Sequence, residues 1–260
     1  ALFIFSVIAH SSEINIKPNM PIEPSFEFIE DQSGIASIHD ILEIADIDWQ
    51  RVNNGSANFG MTQAPYWLRF SVRNQTSEQN NFIAELDYSQ LDDVRFYVFL
   101  GKSNIHRFTT GDAHPFYPRE VDHPNMLLRF NLQPDQIKTI YVRVQTNGSM
   151  ILPLRLWHEN NFYESIAAEQ KIHFFYYGCL TVIILIPFVV FLTLREHLYL
   201  YYSLAISRYL LFFASILGFS FQHVYPQFPE VHIRALLVSM PILAFFSVLF
   251  CREFLKTPEH

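Results

Sequence analysis

The chain has 260 residues, of which half are hydrophobic, 16% aromatic and only 17% charged, with a formal net charge of −7. That is too apolar for an ordinary soluble domain and too charged for a chain lying wholly in a membrane, so two parts are expected. Residues 13–165 hold 12 of the 18 Lys and Arg and 20 of the 25 Asp and Glu, leaving 6 cations and 5 acids for the remainder. An acidic part without a cation cluster excludes nucleic acid as a partner and makes an anionic lipid surface a poor one.

The opening run Ala1 to Ser11 is apolar, too short to span a bilayer, and ends in small residues. Residues 1–12 are read as the remnant of a secretory signal whose Met and basic leader are missing, with a buried first strand as the alternative. Both cysteines, Cys179 and Cys251, fall in the apolar part, so the exported part has no thiol chemistry. A domain of its size needs no disulfide to bury a core.

Residues 25–159 show short runs of alternating polarity separated by turn residues, the pattern of an antiparallel β-sandwich. Tyr66 to Val72 is the clearest, with Tyr66, Leu68, Phe70 and Val72 on one face and Trp67, Arg69 and Ser71 on the other. Further strands are expected over 81–86, 94–99, 126–132, 139–145 and 151–157. The last three turn Met126, Leu128, Phe130, then Ile140, Val142, Val144, then Leu152, Leu154 and Leu156 inward. The stretch from Ser37 to Asp46 is left between strand and short helix, with Ser37 as a cap before Asp40.

Chemistry has to reside on outward positions. Trp67, Arg69, Arg129, Arg143 and Arg155 alternate with core residues, and an aromatic platform beside guanidinium groups suits a sugar ring or a small anion. Taken singly, each of these arginines reads first as a solvated sheet residue paired with an acid. The loop from Thr110 to Arg119 is shaped by Gly111, Pro115 and Pro118, and Asp112 and Arg119 can pair or bind across its mouth. The ligand-binding set is therefore Trp67, Arg69, Asp112, Arg119 and Arg143. His106, His114, His123 and Asp112 match no metal-ligand spacing, and no catalytic residue, metal or cofactor is assigned. Asp87, Asp92 and Asp93 offer carboxylates for glycosidase-type roles, although Asp92 and Asp93 fit a connection between strands.

Residues 160–173 are expected to form a linker helix. From Phe174 to Leu194 the chain runs 21 residues without a charge, about 32 Å as a helix and enough to cross a hydrocarbon core. A second span is expected over 199–221 and a third over 233–251, followed by a cytoplasmic segment, 252–260. If the first part is exported, Arg195, Arg252 and Lys256 lie inside and the loop 222–232 outside, the sign the positive-inside rule requires. Arg208 stands nine residues into the second span, where an unpaired guanidinium is costly. No acid in the three spans can serve it, so a partner beyond residue 260 is expected. A signal-coupling role and a packing or snorkelling role both remain open.

The order of these motifs resembles the bacterial seven-transmembrane receptors with diverse intracellular signalling modules, in particular those with the second type of extracellular domain. The residues that carry the resemblance are Tyr66-Trp67-Leu68-Arg69-Phe70 with Asn74, then Leu91-Asp92-Asp93-Val94 with Phe96-Tyr97, and the Gly111-Asp112 and Arg119 loop. Tyr141-Val142-Arg143-Val144, Gly148-Ser149, Leu152-Pro153-Leu154, Tyr176-Tyr177-Gly178 and Tyr199-Leu200-Tyr201-Tyr202 continue it, from about residue 25 to 260. The resemblance implies a jelly-roll-like periplasmic domain that binds carbohydrates or other small ligands, seven helices of which three are present, and a cytoplasmic output. On that reading the chain is a fragment of a bacterial inner-membrane receptor whose output, a diguanylate cyclase or histidine kinase, lies outside it. Its partners are a small-molecule or carbohydrate ligand and the lipid bilayer, with a homodimer left open. A membrane-anchored glycan-active enzyme and a structural module that binds another protein are the alternatives.

Overall fold

The computed structural model describes residues 11–13, 21–101 and 103–255. The expected signal remnant falls mostly outside the described residues, as does the end of the expected cytoplasmic segment. Contacts divide the chain into two units, one running to His114 and from Pro118 to Tyr163, the other comprising Pro115–Tyr117 and the chain from Glu164 onward.

In the first unit, period-two alternation builds two sheets. The strands are β1 (Ser11–Glu13), β2 (Phe26–Glu30), β3 (Gln50–Val52), β4 (Ser56–Met61), β5 (Tyr66–Arg73) and β6 (Asn80–Leu86), then β7 (Asp93–Leu100), β8 (Ser103–Thr110), β9 (Met126–Leu132), β10 (Ile137–Gln145) and β11 (Ser149–His158). Among the described residues one sheet has the order β3-β2-β5-β10-β7-β8, with β1 lying parallel to the end of β5, and the other has the order β4-β11-β6-β9. All six strands expected from the alternation are present, each within three residues of its expected ends. Those missed are β1, β2 and β3, which have five residues or fewer, β8, which is polar on both faces, and β4, where Ala57, Phe59 and Met61 do alternate with Ser56, Asn58 and Gly60.

The inward residues meet between the sheets. Leu68, Phe70, Val72, Ile140, Val142 and Val144 face Leu128, Phe130, Leu152, Leu154 and Leu156 in one core, with Phe26, Phe82 and Phe96 fully buried among them. Each such side chain contributes on the order of 1.5–3 kcal/mol. A second, smaller core lies on the opposite face of the larger sheet, where Trp67, Tyr97, Phe99 and Tyr141 are covered by Ile41 and Trp49. The covering segment runs from Asp31 to Trp49. Asp31 Oδ1 and Oδ2 accept from the backbone of Ser33, Gly34 and Ala36, forming a turn. The segment then enters helix α1 (Ile38–Glu43), capped reciprocally by Ser37 and Asp40 as expected for the helical alternative.

The second unit, from Glu164 onward, is helical. Its first helix, α2 (Glu159–Leu194), starts within the first unit at the residue after β11 and runs unbroken through Pro187. Linker and first span, expected as separate segments, are thus one helix. Helix α3 (His197–Ile216) ends before the expected limit of the second span because Gly218 turns into left-handed backbone, φ 76°, ahead of the short α4 (Phe219–His223). Helix α5 (Pro229–Leu255) follows. By length and composition α2 and α5 are each able to cross a membrane. Ser203 Oγ of α3 donates to Ile184 O of α2 at 3.1 Å, and the Tyr202 ring packs tilted against Phe250 of α5 at 5.4 Å, so small polar and aromatic residues tie the three helices. Arg208 is half-buried and forms no ion pair among the described residues.

Candidate functional site

Three of the expected binding residues share the outer face of the larger sheet. In the β5–β10 register Arg143 lies opposite Trp67, and Tyr141 lies opposite Arg69. That face is not open. Trp67 is 0% exposed and stacks on Tyr97 at 5.7 Å. Arg69 donates to Glu27 Oε2 from Nε and Nη2 at 2.8 and 2.6 Å and to Asp46 Oδ1 at 2.8 Å, with its guanidinium 4.4 Å from the Trp49 ring. Arg143 bonds Asp93 Oδ2 at 3.1 Å, Gly34 O at 3.3 Å and Gln145 Oε1 at 3.0 Å. Alternation says which residues share a face; it does not say that the chain's own segment 31–49 lies over it. A ligand reaches Trp67 only by displacing that segment.

The other two, Asp112 and Arg119, meet in the loop between β8 and β9. Asp112 Oδ1 is buried without a hydrogen-bond partner among the described residues. Burial, with the neighbouring Asp92 carboxylate, pushes its carboxyl up to about 8 against the opposing pull of Arg119. Arg119 is half-buried, its guanidinium lowered to about 10 by desolvation. It spends its donors on the carbonyls of Gly111, His123 and Pro124, at 3.3, 3.0 and 2.8 Å. The two groups of expected residues adjoin through consecutive side chains. Asp93 serves Arg143 and His114, while Asp92 accepts from Asn147 and hydrogen-bonds Asp112.

A third place was not expected. Between the edge strands β8 and β9, the mouth of the sandwich holds a cleft of about 610 Å³ lined by Asn81, Val98, Ile105, His106, Glu120, Arg129, Phe130, Asn131 and Lys138. Glu120 bridges the two edges, with Oε1 2.6 Å from His106 Nε2 and Oε2 accepting from the backbone N–H of Arg129 at 3.1 Å. Arg129 Nε lies 2.7 Å from Glu159, which also accepts from Asn81. Lys138 is 6% exposed, and its Nζ donates to Asn131 O at 2.7 Å and Oδ1 at 3.0 Å. Burial holds its ammonium below the usual lysine range. The signal for this site was in the alternation, because Lys138 has the parity of Ile140, Val142 and Val144, so a charge points inward.

A β-sandwich followed by helices able to cross a membrane is the architecture of a membrane protein with a β domain outside the bilayer. The family description 7TMR-DISM extracellular 2 matches residues 23–158, and 7TM diverse intracellular signalling matches residues 169–260. The chain belongs to this receptor family, as its motif order implied, with its N-terminal domain outside the cytoplasm. No curated protein matches it.

Among solved structures, TmCBM61 in complex with beta-1,4-galactotriose is similar at 9% identity and a TM-score of 0.26, over 52% of this chain and 88% of that one. A beta-glucosidase from Kluyveromyces marxianus in complex with glucose gives 9% identity and a TM-score of 0.30, over 52% of this chain and 16% of the enzyme. A GH31 alpha-xylosidase from Xanthomonas citri gives 11% and 0.27, over 51% of this chain and 13% of that one. These likenesses are too slight to carry an argument about fold or ligand.

Proposed function

We propose that the exported sandwich senses a small polar molecule, with carbohydrate among the candidate classes. In this reading binding is passed through α2 to the helices of a bacterial inner membrane and on to a cytoplasmic output such as a diguanylate cyclase or histidine kinase. The observation that carries it is the junction: β11 ends at His158 and α2 begins at Glu159, then continues unbroken to Leu194. A flexible tether would dissipate a change in the sandwich, whereas a continuous helix transmits displacement or rotation. A ligand drives that change only by binding two states of the domain unequally.

The test is to insert two glycines between Ala167 and Ala168 in the full-length receptor. Each glycine costs about 1 kcal/mol of helix stability. Ligand binding should persist while ligand-dependent output is lost. Output that still follows ligand with the glycines in place rejects transmission through α2.

A further inference from the structure

We propose that the cleft between β8 and β9 binds a small organic carboxylate, anchored by Lys138 with Arg129 at the rim. The inference rests on the sensor reading and adds the chemical class of its ligand.

Charge supplies the argument. Of the cations lining the cleft, His106 already faces Glu120 at 2.6 Å and Arg129 faces Glu159 at 2.7 Å. Lys138 alone is held by neutral oxygens, both from Asn131, and among the described residues it has no carboxylate within ion-pair distance. An ammonium removed from water without a counterion is unfavourable, and an anion entering the cleft beside Lys138 would relieve that cost. Its third N–H is not used by these two bonds. Two acids nearby argue against a highly charged anion such as a phosphate ester, since Glu120 and Glu159 would repel it.

The remaining walls fit a carboxylate that carries a short carbon skeleton. Val98, Ile105 and Phe130 form an apolar strip, while the Asn81 and Asn131 amides offer hydrogen bonds to hydroxyl groups. A cleft of about 610 Å³ lies within the range of small-molecule sites. Sugar acids and hydroxy acids have this combination of one carboxylate, several hydroxyls and a partly apolar face.

The experiment uses the full chain in detergent or nanodiscs, with galacturonate, glucuronate, gluconate and lactate as probes and galactose and glucose as neutral controls. Thermal stabilisation is read by tryptophan fluorescence, which reports the sandwich because all three tryptophans, Trp49, Trp67 and Trp157, belong to it. At least one acid should stabilise the protein, and its neutral counterpart should bind about tenfold or more weakly. Lys138→Gln should abolish that difference, and Lys138→Arg should retain part of it. Equal binding of acid and neutral sugar, undiminished acid binding by Lys138→Gln, or no binding of any acid overturns the proposal. If an acid binds through Lys138 but leaves the output of the full-length receptor unchanged, the site stands and the sensor reading fails.

Discussion

Asp112 is an acid held where its charge is expensive. Its carboxyl is raised to about 8 by burial first, then by the Asp92 carboxylate and the hydrogen bond between them, and Arg119 only partly offsets this. Tyr88 also feels it, its phenol raised by burial and by Asp112. The sign follows from linkage. The folded state keeps a proton that the unfolded chain releases near pH 4, so between that pH and about 8 the folded state binds more protons and stability falls as pH rises. Asp112→Asn removes the titration while keeping the shape. The variant should therefore show a flatter dependence of Tm on pH from 4 to 8, and its advantage over the parent should be largest at pH 8. Tryptophan-monitored melting across that range measures it, and parallel curves would mean that Asp112 does not titrate in this window. The same residue shows where reading from sequence stops. Asp112 was identified from its loop, but its encounter with Asp92 is a tertiary contact that no spacing encodes. Lys138 is the reverse case: its parity with Ile140 turns it inward, but it lies one residue before the strand that the alternation marks from Thr139.

At the scale of elements, the loop after β8 is held against the start of β7 by backbone. Asp112 N–H donates to Leu91 O at 2.8 Å and Ala113 N–H to Asp92 O at 3.1 Å. Gly111 makes this possible, with φ 145° and an added Cβ only 2.0 Å from Asp92 O. Gly60, at φ 69° with nothing within 4 Å, is the control for conformational strain without the clash. Gly60→Ala should cost about 1 kcal/mol, whereas Gly111→Ala adds a collision with backbone to a strain of about 1–3 kcal/mol. Urea melts of the two variants give the comparison, and equal costs would show that the loop moves aside freely. Elements with strict alternation, such as β5 and β10 from Ile140 onward, were legible because one face is apolar at every second residue. Strand β8, Ser103–Thr110, was not, because an edge strand pairs on one side only and its residues alternate poorly. The segment 31–49 was half legible: the cap at Ser37 marked a helix, but nothing local said that Ile41 and Trp49 would bury Trp67.

For the molecule as a whole, the order of exported sandwich and membrane helices sets which loops face which compartment. Helix α2 is about 54 Å long at 1.5 Å per residue, while its charge-free part from Phe174 to Leu194 measures about 32 Å, close to one hydrocarbon thickness. If that charge-free part is the span, the first 15 residues, from Glu159 to His173, lie on the exported side, where they carry Glu159, Glu164, Glu169 and Lys171. On the same reading the chain leaves the bilayer at Arg195, which takes φ 61° and closes α2 through a hydrogen bond to Phe191 O at 2.8 Å. A cation there favours the cytoplasmic side, and the next connection, Val224–Phe228, has no Lys or Arg. Both native cysteines are exposed, so the topology test begins from the Cys179→Ser, Cys251→Ser background. A cysteine substituted for the exposed Gln227 should react with a membrane-impermeant maleimide in intact cells, and one substituted for the exposed Glu196 should react only after the inner membrane is opened. The opposite pattern would place the sandwich in the cytoplasm. Equal labelling of both before permeabilisation would mean that α3, 20 residues long and carrying Arg208, does not cross the bilayer.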